Sequence, residues 1–153
     1  MEKQHLNEVK RLQELAGLKE ITVTKSQYVE VLVYTGYSEY GIEDQTIHDS
    51  SDNIDTFCKK LLHQKKLDFF YENMQDAQTP AERKELKKEL TDTWSEFYGF
   101  YDVISSTQAF MGAGEENTRI IFSSENEWFK IIKNYPQEEW DDDLWDKWSE
   151  LLD

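Results

Sequence analysis

The chain has a single cysteine, Cys58. This excludes an internal disulfide and leaves nothing from which a thiolate metal cluster could form. Two prolines and six glycines among 153 residues leave few enforced breaks in helix or strand. The three histidines, His5, His48 and His63, are far apart in sequence, so no pair stands at the helical spacing of a His–carboxylate metal site. No apolar run approaches the roughly 18 residues that a bilayer-spanning helix needs. The opening MEKQHLNEVK also lacks the apolar centre of a secretory signal, so a cytoplasmic location is expected. Positive charge is scarce: 17 Lys and Arg stand against 32 Asp and Glu, a net charge of -15. Such a field repels nucleic acid and anionic membranes, excludes both as expected direct ligands, and favours the basic surface of a protein as partner.

What is present is enough for one domain, residues 1–153, with 38% hydrophobic and 14% aromatic residues to build a core. Residues 79–104 read as a long amphipathic helix and the expected central element. Thr79 can cap it, Pro80 suits its first position, and Glu82 stands three residues after the cap. Leu86, Leu90, Trp94, Phe97, Tyr101 and Ile104 follow at helical spacing. Residues 1–18 hold a shorter amphipathic helix, with Leu6, Val9, Leu12 and Leu15 on one stripe and Gly17 placed for a C-cap. Another helix starts at Ser51 or Asp52, with Ile54, Phe57, Cys58, Leu61, Leu62, Phe69 and Phe70 as its apolar stripe and Lys59, Lys60, Lys65 and Lys66 facing water. Cys58 reads as a small core residue with no activating neighbour.

Alternating β-branched and aromatic residues predict strands at 20–24 and 28–35, joined as a hairpin through KSQ, and a third at 118–123. The expected class is therefore α+β: a small, mostly antiparallel sheet of about three strands, covered on one face by amphipathic helices.

Three stretches invite a chemical reading. The segment 36–53 supplies Glu39, Glu43, Asp44, His48, Asp49 and Asp52, yet no twelve-residue window places acids as a calcium loop does, so an acidic surface loop is expected with His48 on the surface. The Gly-rich segment 105–118 contains GAG but lacks the GK[ST] ending of a phosphate loop, and Glu115 and Glu116 would repel phosphate. Carboxylate pairs such as Glu115 with Glu116 or Asp141 with Asp143 say little about catalysis in a chain with 32 acids. No catalytic residue, cofactor or metal is assigned, and the protein is read as non-enzymatic.

The last quarter carries the densest charge. A capping box, Ser124 with Glu127, opens one helix, Pro136 breaks it, and residues 137–153 form an acidic, Trp-rich helix with a net charge of -7. Its apolar stripe either docks into the domain's own core or enters a basic, apolar groove on a partner. The candidate partner-binding residues are Trp140, Asp142, Leu144, Trp145, Asp146, Trp148 and Glu150, joined by Glu43, Asp44 and Asp49 from the acidic loop.

Residues 7–18, NEVKRLQELAGL, resemble a leader segment of small proteins of tailed phages, especially marine relatives of the T-even group. In size and charge the chain also resembles the acidic anti-restriction and anti-CRISPR proteins of phages. The second resemblance implies an accessory protein that inhibits a host nucleic-acid-binding enzyme in the host cytoplasm by DNA mimicry, with Glu138, Asp142, Asp146 and Glu150 as its row of carboxylates. The first implies the alternative, a structural or head-packaged protein of the virion whose leader is cleaved after Leu18, Lys19 and Glu20. Neither specifies an oligomeric state.

Overall fold

Ser26–Tyr34 (β1) is the strand around which the domain is built. Its sequence, SQYVEVLVY, is apolar on both faces, which suits a strand covered by helices on each side. Val29, Val31 and Val33 are fully buried on one face, and Tyr28 and Glu30 are buried on the other. The computed structural model describes residues 25–34, 40–112 and 117–152. The expected helix at 1–18, the strand at 20–24 and the cleavage motif at Leu18 to Glu20 lie outside those residues. So do Glu39, Glu115 and Glu116. The expected turn at KSQ is corrected: Ser26 and Gln27 are the first residues of β1, paired with the segment 49–50.

The class is α+β with an antiparallel sheet, as expected, but among the described residues the sheet has five strands rather than about three. Gly41–Ser50 (β2), Tyr101–Ser105 (β3), Gln108–Gly112 (β4) and Asn117–Ser123 (β5) join β1 in the order β2-β1-β5-β4-β3. All four pairings are antiparallel. β5 lies beside β1 and is as deeply buried, with Ile120, Ile121 and Phe122 fully enclosed. The expected acidic loop at 36–53 is thus corrected at 41–50: the segment is an edge strand, most of whose side chains face water, which hides the apolar alternation that marks an inner strand.

Both faces of the sheet are covered, not one. Ile54–Met74 (α1) packs Ile54, Phe57 and Cys58 against Tyr28, Ala109, Met111 and Ile121. Asn53 caps it by accepting a hydrogen bond from the Thr56 amide at 2.9 Å. On the opposite face, Glu127–Asn134 (α3) and Asp142–Leu152 (α4) set Trp128, Phe129, Ile132 and Trp148 against the three valines of β1 and against Ile120 and Phe122. The N-cap of α3 is Asn126, whose side chain accepts from the Trp128 amide at 2.9 Å, rather than Ser124 with Glu127. Among the described residues no helix is long and apolar enough to cross a membrane.

The helix expected to be central is peripheral and shorter. Pro80–Thr93 (α2) begins as its sequence predicts, with Thr79 Oγ1 accepting from the Glu82 amide at 3.1 Å. Glu82 reaches back to the Gln78 amide, one residue before the cap. Only Leu90 of α2 is buried. The chain then widens into one π-helical turn at Trp94–Tyr98, followed at Gly99 by a change of direction into β3. Tyr101 and Ile104, which sit at helical spacing in the sequence, are strand residues. Two residues of matching period cannot hold a helix against the β-branched and aromatic run of FYDVIS and its pairing with β4.

Candidate functional site

Two regions of the structure gather charged or polar groups in a way that calls for explanation. The first is an acidic face where β2 meets the C-terminal segment. Pairing along β1 skips from Leu32 opposite Asp44 to Val33 opposite Ile42, so Glu43 is the extra residue of a β-bulge. The bulge breaks the regular alternation of side chains, and Glu43 and Asp44 line the same cleft. Across that cleft stand Tyr135, Pro136 and Glu138, and its volume is about 330 Å³. Gln137 closes the junction: its Oε1 accepts from the Ile42 amide at 2.6 Å, and its Nε2 donates to the Tyr40 carbonyl at 3.3 Å.

The acidic Trp segment is not one helix. Gln137–Glu139 form a 3-10 turn, and α4 starts after Asp141, which caps it by accepting from the Leu144 amide at 2.8 Å. Trp140 and Trp148 are buried, so both are core residues rather than exposed anchors. Trp148 meets Trp128 edge-on at 5.1 Å and Trp140 at 5.6 Å. Leu144 and Trp145 are half-buried against the same cluster. Asp142, Asp146 and Glu150 are exposed and follow one another at four-residue steps, about 6 Å apart along the helix. Of the residues singled out from sequence, the fold therefore gathers Glu43, Asp44 and Glu138 at the cleft and sends the acidic run onward along α4. Asp49 is exposed but five residues further along β2, roughly 16 Å from Asp44 along the strand. It accepts a hydrogen bond from Gln27 Nε2 at 3.1 Å.

The second region lies on the other face of the sheet. Glu30, only 5% exposed, is surrounded by cationic and donor groups from three elements. Lys65 Nζ of α1 is 2.8 Å from its Oε2, Arg119 Nη1 of β5 is 3.2 Å from the same oxygen, and His48 Nε2 of β2 is 3.2 Å from Oε1. Burial would raise the carboxyl pKa, but the hydrogen bonds and charge supplied by Lys65, His48 and Arg119 outweigh it and hold Glu30 below the usual carboxylate range. His48 is thus half-buried and partnered rather than a surface residue, and Lys65 turns inward instead of facing water.

Beside this network a cavity of about 420 Å³ opens between α1, the π-helical turn and the sheet. Its walls include Phe69, Trp94 and Tyr98, three rings with centroids 5.5 to 5.7 Å apart. The polar lining includes Lys65, Arg119 and Asn117, with Asp68 and Glu72 also on it. Trp94 and Tyr98, at the two ends of the π-helical turn, both reach Phe69, and such turns recur at functional sites. The sequence contains one signal for this site: Glu30 is the single acid in an otherwise apolar strand. Its partners at positions 48, 65 and 119 come together only in the fold.

Cys58 is fully buried in the α1 core, and burial, followed by the nearby Asp55 and Glu30, pushes its thiol up to about 12. Among the described residues no group of three His, Cys, Asp or Glu side chains converges to hold a metal ion. Compared with protein families, with curated proteins and with solved structures, the chain finds no match in any of the three.

Proposed function

We propose that the protein is a non-enzymatic acidic binder of a basic protein surface, acting on a nucleic-acid-handling protein by charge mimicry. The observation that carries this reading is the convergence of two acidic stretches far apart in sequence. Gln137 bridges β2 to the C-terminal segment, so that Glu43, Asp44 and Glu138 share one cleft and the acidic run continues along α4. Charge assembled in this way costs self-repulsion, which a solubilising surface would lower by spreading its acids. The buried Trp residues hold the acids in place, and the contact itself is electrostatic.

The experiment is affinity capture of the tagged full chain from a lysate treated with nuclease, at low and high salt, followed by competition with duplex DNA. Mimicry expects a nucleic-acid-binding protein that is released as salt rises and displaced by the duplex, because both occupy one basic groove. A captured partner that stays bound in both conditions would overturn the reading.

A further inference from the structure

We propose that the outer edge of β2 takes an extended, basic segment of a partner protein as an added strand of the sheet. This rests on the reading above that the partner is basic, and it assigns the part of that partner that meets β2.

The free backbone groups follow from the phase of the ladders. Ser124 donates its amide to the Gln27 carbonyl at 2.9 Å, so Gln27 and, at alternate positions, Val29 and Val31 turn their backbone groups toward β5. Tyr28, Glu30 and Leu32 therefore turn theirs toward β2, where they face His48, Thr46 and Asp44. Gln45, Ile47 and Asp49 are left with their N–H and C=O groups pointing away from β1. The Gln45 amide agrees with this phase, since it donates to the neighbouring Asp44 carboxylate at 2.9 Å. Among the described residues β2 ends the strand order, and no strand pairs with its outer side.

At one end the fold itself places an amide on this edge. The Gln137 side chain accepts from the Ile42 N–H at 2.6 Å and donates to the Tyr40 C=O at 3.3 Å, bonds of the kind an added strand makes. The bulge at Glu43 lies beside that cap and leaves residues 44–50 in regular register with β1.

The charge selects the occupant. Edge strands are commonly guarded by Lys, Pro or a short length. β2 runs for 10 residues without Lys or Pro and exposes Glu43, Asp44 and Asp49. A second copy of this chain, with its net charge of -15, would set acidic edge against acidic edge, which disfavours self-pairing. A strand with Lys or Arg opposite Asp44 and Asp49 and an apolar residue opposite Ile47, which is 39% exposed, satisfies both the charges and the ladder.

The test titrates the full chain at low salt with a synthetic peptide that alternates lysine with valine and threonine, and with a second peptide in which glutamate replaces lysine. NMR of the backbone amides is the readout. Saturable binding of the lysine peptide is expected with a dissociation constant on the order of 1 mM, and the glutamate peptide should bind at least about tenfold more weakly. At saturation, solvent exchange of the Ile47 and Asp49 amides should slow by at least about tenfold, whereas Thr46 and His48, already bonded to β1, should change little. Ile47→Pro removes an outward N–H and none from the β1 ladder, so the fold should persist in the same spectrum while the lysine peptide weakens at least about tenfold. Asp49→Lys, at an exposed position, should weaken it about threefold. No saturable binding up to about 10 mM, binding that leaves the Ile47 and Asp49 amides unprotected, or equal binding by a folded Ile47→Pro variant would each overturn strand addition. Salt-sensitive capture of a basic protein that Ile47→Pro leaves unchanged would also overturn it, while leaving the charge reading intact.

Discussion

Trp148 donates its indole N–H to the Tyr40 carbonyl oxygen at 2.8 Å while its ring, fully buried, lies edge-on to Trp128. One side chain thus fills the core under α4 and fastens that helix to the start of β2, 108 residues away. Trp148→Ala should cost about 3–5 kcal/mol, the range for emptying a large aromatic site. Trp148→Phe should cost less, about 1–2 kcal/mol, since most of the volume stays and Gln137 Nε2 still donates to Tyr40. Urea denaturation of the two variants measures both numbers. A Trp148→Ala cost below about 1 kcal/mol would contradict the docking of α4.

Glu30 ties stability to pH. Its carboxyl is held below the usual range, so the folded state releases that proton more readily than the unfolded chain. The group's contribution is therefore complete above the unfolded value of about 4.3 and is lost as pH falls through the lowered folded value. Glu30→Gln should flatten the acid limb of a stability-versus-pH curve. At neutral pH it should also cost about 3 kcal/mol, because Lys65 and Arg119 would be left partly buried without their anion. Denaturation midpoints measured from pH 3 to 8 in both proteins check the two effects together.

Cys58 should be inert in the folded protein. Its thiol is fully buried and pushed up to about 12, so thiolate at neutral pH is negligible and no reagent can reach it. Labelling by an aromatic disulfide is expected to follow global unfolding, with a rate that rises with denaturant in step with the unfolded fraction. Rapid labelling in native buffer would show that α1 opens locally from the sheet.

The elements whose local signals agree were legible in the sequence. The β-branched run of β1, the TRIIFS segment of β5, the Thr79–Pro80 helix start and the inward face of α1 with Cys58 are all where their residues point. The misread elements depend on partners. β2 looks like a loop because an edge strand can leave most of its side chains in water, and only its ladder with β1 marks it as a strand. Tyr101 and Ile104 continue the helical spacing of α2, and pairing with β4 decides against that spacing. The two candidate sites were half legible. Glu43, Asp44 and Asp142 stand out by charge, but the bulge and the Gln137 bridge that gather the acids are properties of the fold. The cavity wall was split between a helix stripe and a strand, so nothing in either stretch announced it.

Acids of structural value and acids available for contact can be separated by substitution. Asp141 caps α4 through the Leu144 amide, and Asp141→Ala should cost about 1 kcal/mol of stability. Glu43, Asp44, Asp142 and Asp146 are exposed, and no ion pair among the described residues involves them. Changing Glu43 and Asp44 to Lys should leave stability within about 0.5 kcal/mol per site. Asp142 lies in the first turn of α4, where its charge favours the helix dipole, so Asp142→Lys should cost a few tenths of a kcal/mol more than Asp146→Lys. Under charge mimicry the same changes at positions 43, 44, 142 and 146 should abolish salt-sensitive capture of the basic partner, whereas Asp141→Ala should retain it. If Asp141→Ala lowered capture as much as the four reversals did, binding would depend on the helix itself rather than on its charge. The electrostatic account would then give way to one in which the shape of α4 is recognised.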